Sequence, residues 1–549
     1  MSIKDKIWAA FPGIQIQTGN LEVDPENLSV SVSPESLLAF AKFIKEDKDL
    51  SFDFLRCLTG MDWDEQGLGV VYHLESTLHK HTLVVKIISA DRENPELPSV
   101  CHLWKIANLY EREVYDFLGI NFTNHPDLRR LFLRRDDWVG YPLRKDFDMS
   151  REINPLRMSN ETAMDTTSTL TIDEEGNVVE QTAVLFGEDE YVINIGPQHP
   201  ATHGVLRFRV SLEGEIIKKL NVYCGYIHRG IEKMCESMTY PQIPAYTERL
   251  DYLSAMQNRH AYCMCVEKAL QIEIPERVQY IRTIMDELQR INSHLLFFST
   301  LCMDLGALTA FFYGFRDREI ILDILEETTG GRLMFNYNVI GGLQADIHPD
   351  FIKRVKDFIT YLRRKLQEYH DIFTGNIITQ NRMKGVGLLS REDAISFGAT
   401  GGTGRGSGWA CDVRKRHPYA MYGKVDFKEI TYPDGDCYVR YLVRMDEIVE
   451  SMHIIDQLID NIPEGEYRIK TKPIIRLPEG CYYAAVEASR GEFGVYMESR
   501  GDKKPYRVKF RSTGLPLIAS IETIARGVKI ADLIAIGGTL DYIVPDIDR

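Results

Sequence analysis

Residues 196–207 read GPQHPATHGVLR, a polar segment whose first nine positions hold two glycines and two prolines. Proline fixes φ at about −65° and glycine frees it, so this composition favours a rigid loop of defined shape over a helix or a strand. Apolar alternation on either side predicts flanking strands, at residues 191–195 and 206–212. The loop therefore presents His199 and His203 outside regular structure.

The chain that follows the loop becomes mainly helical. A strand over residues 215–222 is predicted to close a hairpin, because Glu213-Gly214 forms a turn signal before it. Apolar periodicity then predicts long helices at residues 248–270, 276 to about 303, 315–328 and 350–374. We expect residues 191–549 to form a mainly α-helical domain with a small β-sheet.

The first 150 residues predict a small α+β domain. Ser33-Pro34 marks a helix start, and Leu37, Ala41 and Ile44 follow at helical spacing. Segments 52–58, 69–76 and 82–89 are rich in aromatic and β-branched residues, which indicates strands. Residues 151–190 are acidic and polar with few large apolar side chains, so we interpret them as a linker. The fold class is α+β throughout.

Charged and aromatic residues alternate between Glu111 and Phe147. A solvated charged loop is the ordinary interpretation of such a run. Here arginines lie among Trp138, Tyr141 and Phe147, and protein interfaces are enriched in both residue types. We therefore interpret the run as a docking surface for other proteins.

Composition excludes several classes of function. The 549 residues carry a net charge of −15, which argues against a nucleic-acid partner. Ten scattered cysteines contain no C-x-x-C pair, so neither a zinc ribbon nor a cysteine-held iron–sulfur cluster is predicted within this chain. No charge-free apolar window is long enough to span a bilayer, and the N-terminus lacks the pattern of a secretory signal. A cytoplasmic chain, soluble or peripheral to a membrane, is expected.

Three residues of the helical domain are candidates for chemistry: His203, Tyr252 and Asp304. Asp304 has apolar neighbours on both sides, so a buried carboxylate there needs a partner, and a histidine is a natural one. Spacing alone leaves open that each is an ordinary hydrogen-bonded polar residue. The pair His199 and His203 has the i, i+4 spacing of zinc sites on helices, but Pro200 between them disfavours a helix. We predict no metal site.

Several motifs together resemble respiratory complex I. Residues 196–207 are similar to the signature of its quinone-site subunit, which is called D, and residues 111–147 are similar to that of the neighbouring C subunit. Further agreement lies in His228-Arg229-Gly230, RLDY at 249–252, DVRK at 412–415, GEFGVY at 491–496, PYR at 505–507 and the terminal Asp548-Arg549. The chain thus resembles the fused C/D subunit, with only the linker unmatched.

The resemblance implies a fold like the large subunit of nickel–iron hydrogenases, which hold their metal with two C-x-x-C pairs. This chain has neither pair and ends in DIDR, so hydrogenase chemistry is excluded by the missing thiolates. In complex I the corresponding cavity receives the quinone head group.

The resemblance also implies roles for single residues. His203 and Tyr252 match the pair that hydrogen-bonds the quinone carbonyls, Asp304 matches the acid beside that histidine, and His199 is placed with the quinone-binding residues. Arg229 and Arg249 resemble arginines close to the terminal 4Fe-4S cluster, which belongs to the adjoining B subunit. Quinone would be a substrate, menaquinone or ubiquinone, and this chain would bind no cofactor alone.

One position departs from the family pattern. Many relatives carry a histidine where this chain has Met334, and a thioether takes up no proton. We therefore expect the partner's cluster to have a lower, less pH-dependent potential, suited to menaquinone.

The expected partners are the other complex I subunits, including B, H and I, at the cytoplasmic face of a bacterial inner membrane. Two alternatives stay open. The same complex could receive electrons from ferredoxin or another donor instead of NADH, or the chain could be a non-catalytic assembly and docking protein.

Overall fold

The computed structural model describes residues 2–18, 28–133, 138–148, 166–172, 178–187 and 190–549. The chain divides into two units. The first unit comprises residues 1–193, 223–228 and 395–398, and the second comprises residues 194–222, 229–394 and 399–549.

A five-stranded sheet of order β1-β2-β5-β4-β3 organises the first unit. Strands β2 and β5 pair in parallel and the other neighbours pair antiparallel. Two further pairs are β6 with β7 and the hairpin β8–β9. The elements are α1 (Ile3–Ala10), β1 (Gln15–Thr18), β2 (Leu28–Ser31), α2 (Leu37–Glu46), β3 (Phe54–Asp62), β4 (Leu68–Glu75), β5 (Thr82–Ser89), β6 (Glu96–Pro98), α3 (Ala107–Leu118), β7 (Asn121–Thr123), β8 (Thr166–Ile172) and β9 (Val178–Val184).

The predicted pattern of the first unit is confirmed where it is periodic. Strand β5 alternates strictly, with Leu83, Val85 and Ile87 buried, and α2 buries Leu37, Phe40, Ala41 and Ile44 at helical spacing. The predicted linker contains the hairpin β8–β9, whereas its residues 151–165, 173–177 and 188–189 lie outside the described part of the chain. Its role as a linker stays a prediction.

Several charges of the run 111–147, which we interpreted as a docking surface, are buried, and its role in docking stays a prediction. Glu111, Arg112 and Asp116 are buried within α3. The Asp116 carboxylate accepts the backbone N–H groups of residues 131, 132 and 133 at 2.7–3.0 Å, and it also pairs with Arg130. The Tyr141 ring lies between the guanidinium groups of Arg130 and Arg144, at 5.2 and 4.8 Å. Most of these charged side chains therefore bind the segment that follows α3 to the helix itself. Residues 134–137 lie outside the described part of the chain.

The second unit contains the long helices and three small sheets, of order β10-β11-β12, β13-β14 and β15-β16-β17. Its elements are β10 (Tyr191–Ile195), β11 (Arg207–Glu213), β12 (Ile216–Tyr223), α4 (Ile231–Cys235), α5 (Pro244–Thr247), α6 (Ala255–Leu270), α7 (Glu276–Asp304), α8 (Leu308–Thr329), β13 (Asn338–Val339), β14 (Gly342–Leu343), α9 (Phe351–Tyr369), α10 (Ile377–Met383), α11 (Arg391–Phe397), α12 (Gly401–Arg405), α13 (Val413–Arg416), α14 (Cys437–Leu458), β15 (Gly480–Ala488), β16 (Gly491–Ser499), β17 (Arg507–Arg511), α15 (Gly514–Ile524), α16 (Ile530–Leu540) and α17 (Val544–Ile547).

Helix α7 is the central element of the second unit. It packs against α8, α14 and α16, and it is buried on all sides along most of its length. Its end at Asp304 agrees with the prediction to within one residue. Two other helix starts were predicted wrongly. Helix α8 begins seven residues earlier, at Leu308, and Gly306, with a φ of +85°, lies in the short turn that separates it from α7.

Helix α6 begins at Ala255 instead of Glu248. The Asp251 carboxylate accepts the N–H of Leu253, and such a local side-chain bond competes with helix formation. Helix α9 ends at Tyr369, and a π-helical turn continues it to Thr374. The fold class, α+β with a mainly helical second part, is confirmed.

Candidate functional site

The loop 196–207 holds His203 in an uncommon backbone conformation. A short helical turn over Pro200–Thr202 precedes it, and the buried Thr202 hydroxyl lies 2.8 Å from the carbonyl oxygens of His199 and Gly204. His203 has φ +51°, in the left-handed region that few residues other than glycine adopt, although histidine is among the enriched exceptions. The turn therefore fixes the direction in which the imidazole leaves the backbone.

The C-terminal segment of the chain packs against this loop. A Cβ on Gly204 would lie 2.6 Å from Cγ2 of Val544, so only glycine fits beside that side chain. A Cβ on Gly538, within α16, would lie 3.1 Å from Oδ2 of Asp304. Gly204 thus leaves room for Val544, and Gly538 leaves room for the Asp304 carboxylate.

His203 and Asp304 form a direct pair. His203 Nε2 lies 2.6 Å from Asp304 Oδ2, and the two side chains are 17% and 5% exposed. Asp304 is the last residue of α7, where the helix dipole disfavours negative charge, so the histidine is a needed partner. Because an ionised carboxylate only accepts hydrogen bonds, Nε2 carries the hydrogen and Nδ1 is the ring nitrogen left for a substrate.

Tyr252 lies half-buried just before α6, and it makes no hydrogen bond to His203 or Asp304 within the described residues. Burial raises the pKa of its hydroxyl, and the positive charge of Arg490 partly offsets that rise. Arg490 in turn pairs with the buried Asp251 at 3.1 Å and with Asp541 at 3.0 Å. Tyr252 is therefore anchored through its neighbour Asp251 to the same C-terminal segment that packs against His203.

Sequence reasoning missed Tyr542, the residue after Asp541. Its ring centroid lies 6.3 Å from that of His203, and the residue is only 1% exposed. Asp541 follows the last residue of α16 and adopts the left-handed backbone conformation, with φ +59°. This conformation ends the helix and directs the chain toward the site. No motif signals Tyr542, because its position depends on how residues 538–544 fold back onto the loop.

The remaining candidates lie elsewhere in the second unit. His199 is exposed and its backbone carbonyl accepts a hydrogen bond from Thr202, and its part in quinone binding stays a prediction. Arg229 and Arg249 are both exposed and adjacent, since Arg229 Nη2 donates to the Arg249 carbonyl at 3.2 Å. Met334 is half-buried. The two arginines thus lie close together on the surface of the second unit, and their role beside a cluster stays a prediction.

In the first unit, Cys101, Glu111 and His125 place a sulfur, an oxygen and a nitrogen within 4.8 Å of one another. His125 Nδ1 accepts the Asp127 N–H and Nε2 lies 3.1 Å from the Asn108 carbonyl, so both ring nitrogens are already used. Glu111 accepts from Ser99 at 2.6 Å and from a backbone N–H at 2.8 Å. The cluster is closed by its own hydrogen bonds, and the absence of a metal site stays a prediction.

Comparison with known proteins decides the family. Residues 30–152 match the family described as the 30 Kd subunit of respiratory-chain NADH dehydrogenase, and residues 304–476 and 469–549 match its 49 Kd subunit. A protein of Phocaeicola vulgatus, named as the C/D subunit of NADH-quinone oxidoreductase, is 73% identical over 497 residues, which cover 90% of this chain and 95% of that protein. The chain belongs to the C/D subunit family of complex I.

Other relatives agree with this membership. The C/D subunit of Bacteroides thetaiotaomicron is 69% identical over 507 residues, 90% of this chain and 95% of the relative. The separate D subunit of Desulfotalea psychrophila is 47% identical over 367 residues, 67% of this chain and 99% of the relative. The predicted resemblance is thus confirmed: the chain is a peripheral-arm subunit of an oxidoreductase, complex I. None of the helices in the described ranges combines the length and apolarity of a bilayer span.

Proposed function

We propose that the second unit forms the site at which complex I reduces quinone, with His203, Asp304 and Tyr252 as the reacting groups. The observation that carries the proposal is the 2.6 Å contact between His203 Nε2 and Asp304 Oδ2, which leaves Nδ1 for a substrate. Quinone reduction adds two electrons and two protons, so a site needs hydrogen donors near the two carbonyl oxygens and a means to replace the protons.

In this proposal His203 donates from Nδ1 to one quinone oxygen, and the Tyr252 hydroxyl donates to the other. Donation from Nδ1 uses the doubly protonated imidazolium, whose Nε2–H is accepted by the Asp304 carboxylate. The half-buried position of Tyr252 supports its role, because burial raises the pKa of the phenol and keeps it protonated as a donor. His199, which is exposed on the same loop as His203, would assist quinone binding.

The electrons would come from the 4Fe-4S cluster of the B subunit in the same complex. Arg229 and Arg249 support this arrangement, because two adjacent exposed guanidinium groups give a positive surface that would stabilise a reduced cluster in a docked partner. The ten cysteines include no cluster of thiols within the described residues, which fits a cluster held by a partner. The H and I subunits would complete the surroundings, at the cytoplasmic face of a bacterial inner membrane.

Two alternatives remain in the proposal. NADH is the donor named in the relatives, whereas ferredoxin or another carrier would enter through different subunits and leave this chain unchanged. A purely assembling protein would need none of the His203, Asp304 and Tyr252 set. The ordered pairing of His203 with Asp304 therefore favours the catalytic alternative.

The test is the change Tyr252→Phe in the assembled complex in native membranes. We expect NADH:quinone turnover to fall about a hundredfold, the usual loss when a donor to developing charge is removed, while assembly and reduction of the partner's cluster stay normal. Tyr280→Phe is the matched control: it is also half-buried, but it lies about 36 Å from Asp304 along α7. Unchanged turnover of Tyr252→Phe with several quinones would remove Tyr252 from the site.

A further inference from the structure

The hydroxyl of Tyr542 is buried and has no hydrogen-bond partner among the described residues. An unsatisfied buried hydroxyl is costly, and native proteins usually provide it with a partner. Solvent or substrate has little access to this side chain, because Tyr542 is only 1% exposed. The His203 side chain, by comparison, is 17% exposed. Tyr542 is therefore much less accessible to a substrate than the His203 side chain is.

Asp304 is the candidate acceptor, because it bonds the His203 imidazole that lies close to the Tyr542 ring. Asp304 uses only Oδ2, for His203, and no described residue donates to its Oδ1. Apart from burial, the charge of Asp304 is the influence that raises the pKa of Tyr542. The Tyr542 ring, whose centroid lies 6.3 Å from that of His203, is therefore close to the pair that His203 forms with Asp304.

We propose that Tyr542 is a positioning residue for proton delivery, whose hydroxyl donates to Asp304 once His203 has given up its proton. This inference rests on the proposed quinone site. Before transfer, the imidazolium compensates the Asp304 carboxylate. His203 then passes its Nδ1 proton to a quinone oxygen as electrons arrive from the partner's cluster, and the imidazole that remains is neutral.

The carboxylate then lacks its compensating charge but keeps the Nε2–H bond. A second hydrogen bond, from Tyr542 to Oδ1, would stabilise it at that moment, and hydrogen bonds to charged acceptors are about twice as strong as neutral ones. The bond exists only after transfer, so it accelerates the proton step without strengthening quinone binding.

The test is Tyr542→Phe in the assembled complex, which keeps the ring and removes only the hydroxyl. We expect kcat for quinone reduction to fall about tenfold, about 1.4 kcal/mol, with KM unchanged. The solvent deuterium isotope effect on kcat should rise, because proton transfer becomes more rate-limiting. Thermal stability should not fall, since the hydroxyl has no partner among the residues that the structure describes. A purely packing role would leave kcat and the isotope effect as they are.

Tyr337→Phe is the matched control, because Tyr337 is also 1% exposed and its hydroxyl also lacks a partner among the described residues. We expect no change in kcat there. In an Asp304→Asn background, Tyr542→Phe should have no further effect, since its acceptor is no longer charged. A kcat within about twofold of the parent, or a rise in KM alone, would overturn the inference.

The same experiment separates this inference from the proposed function. If Asp304→Asn and Tyr252→Phe lose turnover while Tyr542→Phe does not, only the role of Tyr542 is wrong. If Asp304→Asn and Tyr252→Phe both retain full turnover, the quinone site itself is wrong.

Discussion

Arg490 compensates two buried carboxylates, and its replacement by methionine should strongly destabilise the second unit. Arg490 is 1% exposed at its side chain and pairs with Asp251 at 3.1 Å and Asp541 at 3.0 Å, while Ser293 accepts from it at 3.0 Å. Breaking one buried ion pair by removing a partner costs about 3–5 kcal/mol, because the remaining charge stays buried and uncompensated. Arg444 still pairs with Asp541 at 3.3 Å, so Asp251 bears most of the loss.

Hydrogen exchange of the full chain measures this cost locally. The strand β16 follows Arg490 directly, so its amides report opening of this region. A loss of about 3–5 kcal/mol corresponds to exchange faster by about two to four orders of magnitude. Strand β4 of the first unit should not change. Lysine at position 490 should restore only part of the protection, because a single ammonium lacks the fork that reaches both carboxylates.

Arg332 provides the control for this prediction. It contacts three carboxylates, of Glu319, Asp323 and Glu326, but its side chain is 39% exposed. Solvent screens such pairs, so Arg332→Met should leave exchange unchanged despite the larger number of partners. If exchange in β16 accelerates less than about fivefold in Arg490→Met, burial does not determine how much these ion pairs contribute to the free energy of opening, and the prediction is wrong.

Two further predictions concern titration. Met334→His should make the midpoint potential of the partner's cluster more dependent on pH, because an imidazole takes up a proton where a thioether does not; equal slopes in redox titrations of parent and variant would contradict this. Burial raises the pKa of Glu111 to about 7, so its proton stabilises the folded first unit fully below about pH 4.5, and that contribution is lost as pH rises through 7. Glu111→Gln should flatten this dependence, measured as protection of α3 amides between pH 4 and 8; an unchanged slope would assign it to another group.

Local pattern was enough to predict the elements that have one buried face. The alternation in β5 and the helical spacing in α2 appear in the structure with the same residues buried. The apolar pattern did not predict the helix start where a polar side chain bonds to the backbone. At the start of α6, the Asp251 carboxylate accepts the backbone N–H of Leu253. Pattern also failed for the charged run of the first unit. The Asp116 carboxylate is buried and accepts three backbone N–H groups, but the local sequence around it does not distinguish a buried aspartate from an exposed one.

The sequence by itself determined the family and the candidate residues His203, Asp304 and Tyr252, because the motifs that carry them are contiguous and specific. Tertiary structure alone decided how they meet. His203 and Asp304 are 101 residues apart, and Arg490 and Asp251 are 239 residues apart. No local pattern encodes a contact at such separations, since it depends on where the helices and the C-terminal segment pack. That packing also brings the Tyr542 ring to 6.3 Å from the His203 ring, and leaves the Tyr542 hydroxyl buried with no partner among the described residues.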